Sequence, residues 1–395
     1  MRCLVLAFAL SAFGCGGDGQ AEQPTCGLAQ AVATYDFVRA VRGRDGSVWK
    51  ATATAPFTRV AGVSGAFLVS DLAASGSSAY SDAIGCGIVD GGVWCFPLAG
   101  PLGTATDLGA GAAGDAESLL PQRVVTGAAA GAVALEGATQ LAGGMNGSGA
   151  SFCAVTNDGS IWCWGYDEDG LLGHGDAEHV DYARRVMLDE TTAFAHAAEV
   201  RVGFGSSCAR TADGSVWCWG SNDFAALGFE PTADAPSLVP VQVALPASAK
   251  RLAASPGNTH CAVLEDTSVR CWGANSYGQA GAPDDQLTAP PTTVLTAKDG
   301  PALLGVVDLA PDQGMRAMCA NTSSAGLWCW GHAFRGGPGG EPTGPYAARA
   351  SELSVSHAPL AAFGEREGSL VFIDGKGRLV LGAGSTPASE QPPCR

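Results

Sequence analysis

Ten of the fourteen cysteines stand in five pairs at nearly constant spacing: Cys86 with Cys95, Cys153 with Cys163, Cys208 with Cys218, Cys261 with Cys271 and Cys319 with Cys329. Paired cysteines do one of two chemistries. Zinc knuckles hold their ligands at about Cys-x₂₋₄-Cys, and separations of nine or ten are far wider. A disulfide needs two Cβ atoms about 3.5–4.5 Å apart. Directly opposed residues on antiparallel strands come close to that, at about 4.5–5.5 Å. Residues 152–165, FCAVTNDGSIWCWG, give such a hairpin: with Asp158 at the turn centre, Cys153 lies opposite Cys163, Val155 opposite Ile161 and Thr156 opposite Ser160. Asp158-Gly159 and Asp213-Gly214 supply the turn chemistry, glycine taking positive φ at no steric cost. Cys86 and Cys95 are nine apart, and their turn shortens to Asp90-Gly91, which preserves the pairing. The five pairs are therefore read as disulfides.

The remaining reactive types are scattered. The sequence carries no Gly-x-Ser-x-Gly, His-Glu-x-x-His or P-loop motif, which speaks against an enzyme and against a bound cofactor. The histidines are His174, His179, His196, His260, His332 and His357. His174 and His179 share a stretch with Asp176 and read as solvated loop residues, not as metal ligands. Asp167, Asp169 and Gly170 begin like a calcium loop, but Glu178 falls one place short of the twelfth position. No metal site is expected from these patterns. Trp162, Trp164, Trp217, Trp219, Trp272, Trp328 and Trp330 recur at fixed places beside the cysteines and read as packing residues.

Two further hairpins lack cysteines, one over residues 37–49 around Asp45-Gly46 and one over 370–380 around Asp374-Gly375. That makes seven units in all, recurring at about 55 residues in the cysteine-bearing region. A small-residue or apolar stretch precedes most of them, such as 199–203 and 250–254, and reads as a further, inner strand. Seven small sheets of about four strands suit a radially closed all-β propeller, which leaves only short protected edges. The Ala/Gly-rich segment 98–135 reads as an extended loop between the second and third units. Ring closure brings the chain ends together, so Cys26 and Cys394 are expected to form a sixth disulfide that seals it. His260, next to Cys261, reads as a strand residue hydrogen-bonded to a neighbouring blade.

After the hairpins come WGYDEDGLLGHG from Trp164, WGSNDFAALG from Trp219, WGANSYGQAG from Trp272 and WGHAFRG from Trp330. These resemble the regulator-of-chromosome-condensation (RCC1) repeat. The resemblance is strong over 150–335 and weaker over 26–149 and 340–394. It implies a seven-bladed propeller. The Cys-Trp-Gly variant resembles the secreted bacterial branch of that family. The first unit departs from the pattern, with Lys50-Ala51 after Trp49, and the last has Leu381-Gly382 in place of Trp-Gly.

Residues 1–14 read as a lipoprotein-type signal peptide: Met1-Arg2-Cys3, an apolar run from Leu4 to Phe13, then Gly14-Cys15. The run is too short to span a bilayer. Lipidation of Cys15 followed by a tether over 15–25 is the expectation. Ordinary cleavage after Gly14 is the alternative, because Phe13 is bulky for a lipid box. Either route exports the chain, to the outer membrane or cell surface or into the medium, and disulfides persist in such oxidising compartments. The propeller is then assigned to 26–394 as a single, monomeric domain.

The chain has 395 residues, 46% apolar and 15% charged, which is enough to bury a core. Net charge is −16 with no basic run, which excludes a phosphate-binding surface for nucleic acid and leaves a lipid anchor as the expected membrane contact. A non-enzymatic extracytoplasmic scaffold for a protein partner is the leading expectation, with a secreted enzyme-inhibitor-like propeller as its alternative. A carbohydrate-directed enzyme and the guanine-nucleotide exchange that the resemblance implies are weaker readings. Exchange requires a cytosolic GTPase, which the export features oppose. Tyr166, Phe224, Tyr277 and Phe334 follow the Trp-Gly pairs and are taken as equivalent loop positions that could form a binding ring.

Overall fold

The computed structural model describes residues 28–381 apart from 34–38, 44–45, 52–57, 61, 63–70, 77–82, 100–108, 112–119, 146–148, 231–235, 284–285, 312–315, 325, 332–343, 350–362, 365–369 and 374–378. Seven antiparallel sheets follow one another along the chain, over residues 28–59, 71–123, 138–185, 197–242, 249–293, 306–349 and 363–381. They are blades 1 to 7 of a propeller. Among the described residues six blades have four strands and the last has three. Strands pair in chain order within every blade, so each blade is a meander. The first strand of each blade lies against the first strand of the next, and Leu28–Ala33 of blade 1 meets Leu370–Ile373 of blade 7, which closes the ring.

Steric crowding around the axis explains the small residues of the first strands. A Cβ on Gly143 would stand 2.5 Å from the Ala74 carbonyl oxygen of blade 2, and one on Gly144 2.3 Å from Val202 of blade 4. Side chains there would force the inner strands apart. Blade cores lie between blades. One cluster joins Ile84, Ile88 and Val93 of blade 2 to Leu141, Phe152 and Trp164 of blade 3, and another joins Val155 and Ile161 of blade 3 to Val200, Ala209 and Trp219 of blade 4. A single blade therefore cannot bury its own apolar face.

The hairpin register follows the spacing. Cys153 pairs with Cys163 and Val155 with Ile161, and the Thr156 amide donates to the Ser160 carbonyl. Asp158 fixes the turn by accepting from the Thr156 hydroxyl at 2.6 Å and the Ser160 amide at 3.0 Å. Asp213 repeats this with Thr211 and Ser215 in blade 4. These bonds hold both carboxyls below the usual range. All five hairpin cystines are present, with Cα–Cα distances of 4.0–4.1 Å. That closeness is characteristic of a non-hydrogen-bonded cross-strand pair. Cys3, Cys15, Cys26 and Cys394 lie outside the described residues, as do the leader and tether over 1–25.

One expectation changes. Segment 98–135 is not simply a loop: Gln122–Arg123 is the outer strand of blade 2, paired with Trp94 and Cys95. Val124 and Leu135 are buried in the core shared with blade 3, and Ala110 bridges Tyr182. The Gln-Arg-Val-Val run is too short to stand out beside the surrounding alanines and glycines.

Peptide mapping without reduction should recover the five intra-hairpin linkages, and a cross-blade linkage among those ten cysteines would contradict the register. Replacing Cys208 and Cys218 together by alanine should lower the unfolding free energy by about 2–4 kcal/mol, read by denaturant titration.

Candidate functional site

Trp164, Trp219, Trp272 and Trp330 close the third strands of blades 3 to 6 and are fully buried. Three of them donate the indole N–H back to the preceding blade: Trp219 to the Leu171 carbonyl at 2.8 Å, Trp272 to Ala226 at 3.0 Å and Trp330 to Gln279 at 2.9 Å. Each acceptor stands seven residues after the tryptophan of its own blade. For Trp164 no partner is found among the described residues. The glycine after each tryptophan turns the chain out of the sheet. Gly220 has φ of 98°, and a Cβ there would meet the Gly205 carbonyl oxygen at 2.5 Å.

Three residues after the tryptophan an asparagine pins the loop. Asn275 accepts from the Ala280 amide at 3.0 Å and donates to the carbonyls of Ala282, Pro283 and Gln286. Asn222 accepts from Leu227 at 2.9 Å and donates to Phe229 at 3.3 Å. The loops from third to fourth strand are thus bonded to themselves and, through the indoles, to the next blade. Between blades 4 and 5, buried His260 meets the Ser206 hydroxyl at 2.7 Å through Nε2, and the Gly205 amide donates to the Asn258 side chain at 3.1 Å. His260 is the inter-blade strand residue its place in the repeat implies.

The four candidate ring positions are not equivalent. Phe224 and Tyr277 stand five residues after their tryptophans on adjacent loops and are exposed, at 46% and 37%. Arg316 lies over the Tyr277 ring at 5.1 Å. Tyr166 is not equivalent to them. It stands two residues after Trp164, where the other loops carry Ser221 and Ala274, and its amide makes the same bond to the preceding loop, to Ala150, that theirs make to Gly205 and Asn258. Its half-buried ring stacks on His179 at 4.0 Å. The place matching Phe224 in blade 3 belongs to exposed Asp169. Phe334 lies outside the described residues.

Phe224 is strained in its backbone. Its φ of 60° and ψ of 24° put it in the left-handed region, with Ala225 beside it at φ 61°. An aromatic residue held there costs about 1–3 kcal/mol. Sequence reasoning singled out the ring but had no signal for the strain: blade 3 takes the same φ of 60° at Asp169, a residue type that tolerates it, followed by Gly170, where blade 4 places phenylalanine and then Ala225.

Blade 3 corrects a second expectation. His174 is buried, and so is Asp167, while Asp176 is half-buried and His179 exposed. Only His179 fits the reading as a solvated loop residue. His174 turns inward because its Nε2 lies 3.2 Å from the Arg184 carbonyl of the outer strand. Burial pushes the His174 imidazole down to about 3 and the Asp167 carboxyl up to about 7. Asp176 is held below the usual range by bonding to the Arg184 guanidinium, at 2.8 and 3.2 Å.

A family model described as "Regulator of chromosome condensation (RCC1) repeat" matches residues 213–264, and a second of the same description matches 198–225. The chain is similar to the ultraviolet-B receptor UVR8 of Arabidopsis thaliana, 30% identical over 187 residues, covering 47% of this chain and 40% of that protein. It is similar to the E3 ubiquitin-protein ligase HERC2 of Mus musculus, 32% identical over 185 residues, covering 46% of this chain and 4% of that protein. The matched region thus spans less than half the length of either relative. Yeast RCC1 (Prp20), solved bound to Kap60, superposes with a TM-score of 0.63 at 15% identity, over 86% of this chain and 78% of that one, a likeness of fold. The chain thus carries a match to the RCC1 repeat over residues 198–264 and shares the propeller fold of yeast RCC1.

Burial pushes His260 down to about 4, against about 6.5 when unfolded. The unfolded chain then binds the extra proton, so this group's contribution to stability is complete above pH 6.5 and is lost as pH falls towards 4, by about 3 kcal/mol in all. His260→Gln should therefore lose less stability than wild type between pH 7 and pH 4 in urea titrations. An equal loss in both would refute the assignment. Trp219→Phe, which removes the indole bond, should destabilise by about 1 kcal/mol or more at neutral pH.

Proposed function

We propose that this RCC1-like propeller is a non-enzymatic binding scaffold that docks a protein partner on the face carrying its Trp-Gly loops, outside the cytoplasm. The observation that carries the reading is Phe224, an exposed aromatic side chain on a strained backbone, with exposed Tyr277 at the matching position of the loop of the next blade. Strain is retained where surrounding structure over-determines it, and it clusters at ligand clamps. Loops locked to a rigid scaffold suit recognition, and exposed aromatics supply the anchors that dominate protein interfaces. Yeast RCC1 is itself seen with a protein partner, Kap60. Inhibition of a secreted enzyme would be the sharper form of the same activity.

Two features support the non-enzymatic and exported parts of the reading. Glu199, a buried acid on a first strand, is committed to Arg201 at 2.7 Å, Arg210 at 3.3 Å and the Leu252 amide. It is a structural tie between blades 4 and 5. Five buried cystines suit an oxidising compartment, and the signal-like first fourteen residues lead there, with Cys15 as the proposed lipid anchor.

Crosslinking of the oxidised full chain to envelope and secreted proteins of the producing cell should give one saturable partner. Phe224→Ala with Tyr277→Ala should weaken that partner about tenfold or more without lowering the melting temperature. Undiminished binding in the double variant would move the interface elsewhere. A lack of any protein partner, with binding on a glycan array, would overturn the scaffold reading in favour of a carbohydrate ligand.

A further inference from the structure

The three-residue position after the tryptophan is asparagine in blades 4 and 5 and aspartate in blade 3. One end of the side chain does the same work in all three. Asp167 Oδ1 accepts from the Leu172 amide at 3.4 Å, as Asn222 accepts from Leu227 and Asn275 from Ala280. The other end differs. Where the asparagines place an NH₂ that donates to the carbonyls of Phe229 and Ala282, Asp167 places a second oxygen. That Oδ2 is buried and has no hydrogen-bond partner. An unpaired carboxylate oxygen in a protein interior carries a large desolvation cost.

The residue matching Phe229 and Ala282 in blade 3 is His174. Its Nε2 faces the Arg184 carbonyl at 3.2 Å, so Nε2 carries the proton and donates. Nδ1 is then left with its lone pair, buried and without a partner. A histidine whose far nitrogen is fixed by a backbone carbonyl is oriented as metal-ligating histidines are. Asp176 completes the group, and a ligand atom of Asp167, of His174 and of Asp176 all lie within 4.8 Å of one another. Arg184 positions two of the three, His174 through its carbonyl and Asp176 through its guanidinium. Asp176 is half-buried beside exposed Gly175, which leaves the group open to solvent on that side. Among the described residues no other group of three such side chains comes together.

We propose that Asp167, His174 and Asp176 bind a divalent transition-metal ion in the loop between the third and fourth strands of blade 3. One imidazole nitrogen and two carboxylate oxygens suit a borderline ion such as Zn²⁺ better than hard Ca²⁺, which prefers an all-oxygen set. With His174 neutral and Arg184 cationic, the two carboxylates leave the group one net negative charge. Water would fill the remaining coordination positions. The ion satisfies the two orphaned atoms and ties this loop to the outer strand, doing in blade 3 what the asparagine amide does in blades 4 and 5.

The test uses the untagged, oxidised full chain, stripped with EDTA and titrated with ZnCl₂, MnCl₂ or CaCl₂ by calorimetry and thermal melting. Wild type should take up one equivalent of Zn²⁺, more tightly than Ca²⁺, and melt at a higher temperature in its presence. Asp167→Asn is the decisive variant, because asparagine is what the fold uses at this position elsewhere. It should fold as wild type does by circular dichroism, weaken Zn²⁺ at least about tenfold, and lose the metal-dependent rise in melting temperature. His174→Phe should do the same. Absence of a stoichiometric site in wild type would overturn the proposal, as would Zn²⁺ binding that survives Asp167→Asn. In either case Asp167 would be read as a protonated carboxyl that mimics the asparagine.

Discussion

The bond on which this structure depends runs from a buried indole N–H to a carbonyl of the preceding blade, seven residues past that blade's own tryptophan. It joins the third strand of one blade to the loop of the one before, and the tryptophan that makes it fills the apolar space between them. An unpaired indole N–H in such a place would cost what any buried donor costs. The loop must therefore present its carbonyl at one point, whatever side chains it carries. The asparagine three residues after the tryptophan holds it in that shape. So the loop belongs to the core on one side, and its other side is left for surface chemistry.

Because the cores lie between blades, the apolar side chains of a hairpin pack against its neighbours, as Ile84, Ile88 and Val93 of blade 2 do against blade 3 and Val155 and Ile161 of blade 3 against blade 4. The cross-strand cystine at the centre of five hairpins compensates within the blade, by restricting the unfolded chain and filling the space between opposed strands. Towards the rim a different pair recurs. Arg59 lies over Trp49, Arg123 over Trp94 and Arg185 over Trp162, each arginine on the outer strand directly opposite its tryptophan. Cystine inside and arginine on tryptophan outside fix the register of the second, third and fourth strands.

What the sequence makes legible is what repeats. Period, turn and cysteine spacing together specify seven sheets, their register and the inner strands, because each copy obeys the same steric and hydrogen-bonding demands. The single positions were harder. Tyr166 looks like Phe224 and Tyr277 if aromatic residues are matched by type, but distance from the tryptophan places it three residues earlier. His174 looks solvated because polar loop residues commonly are, and nothing local announces that the Arg184 carbonyl, ten residues on, turns it inward. Strain in the blade 4 loop comes from phenylalanine and alanine standing where blade 3 has aspartate and glycine, which matters only once the loop's φ values are known.

Individuality in a repeat protein therefore lies where one copy departs from the others while the shared bonds stay intact. Blade 4 keeps its asparagine and its indole acceptor, and spends its departure on an exposed aromatic ring held against backbone preference. Blade 3 keeps the indole acceptor and the amide contact to Asp167 Oδ1, and exchanges only the donor half of the asparagine for an oxygen. A change of one atom group, buried and unpaired, would merely destabilise if nothing met it. Here a histidine lone pair and a second carboxylate lie within reach, and both owe their placement to the same arginine. Two coordinated departures in one loop, Asp167 for asparagine and His174 for a residue that only offers its carbonyl, are not called for by packing, which the loops of blades 4 and 5 already satisfy, and they follow directly if the loop must hold a cation.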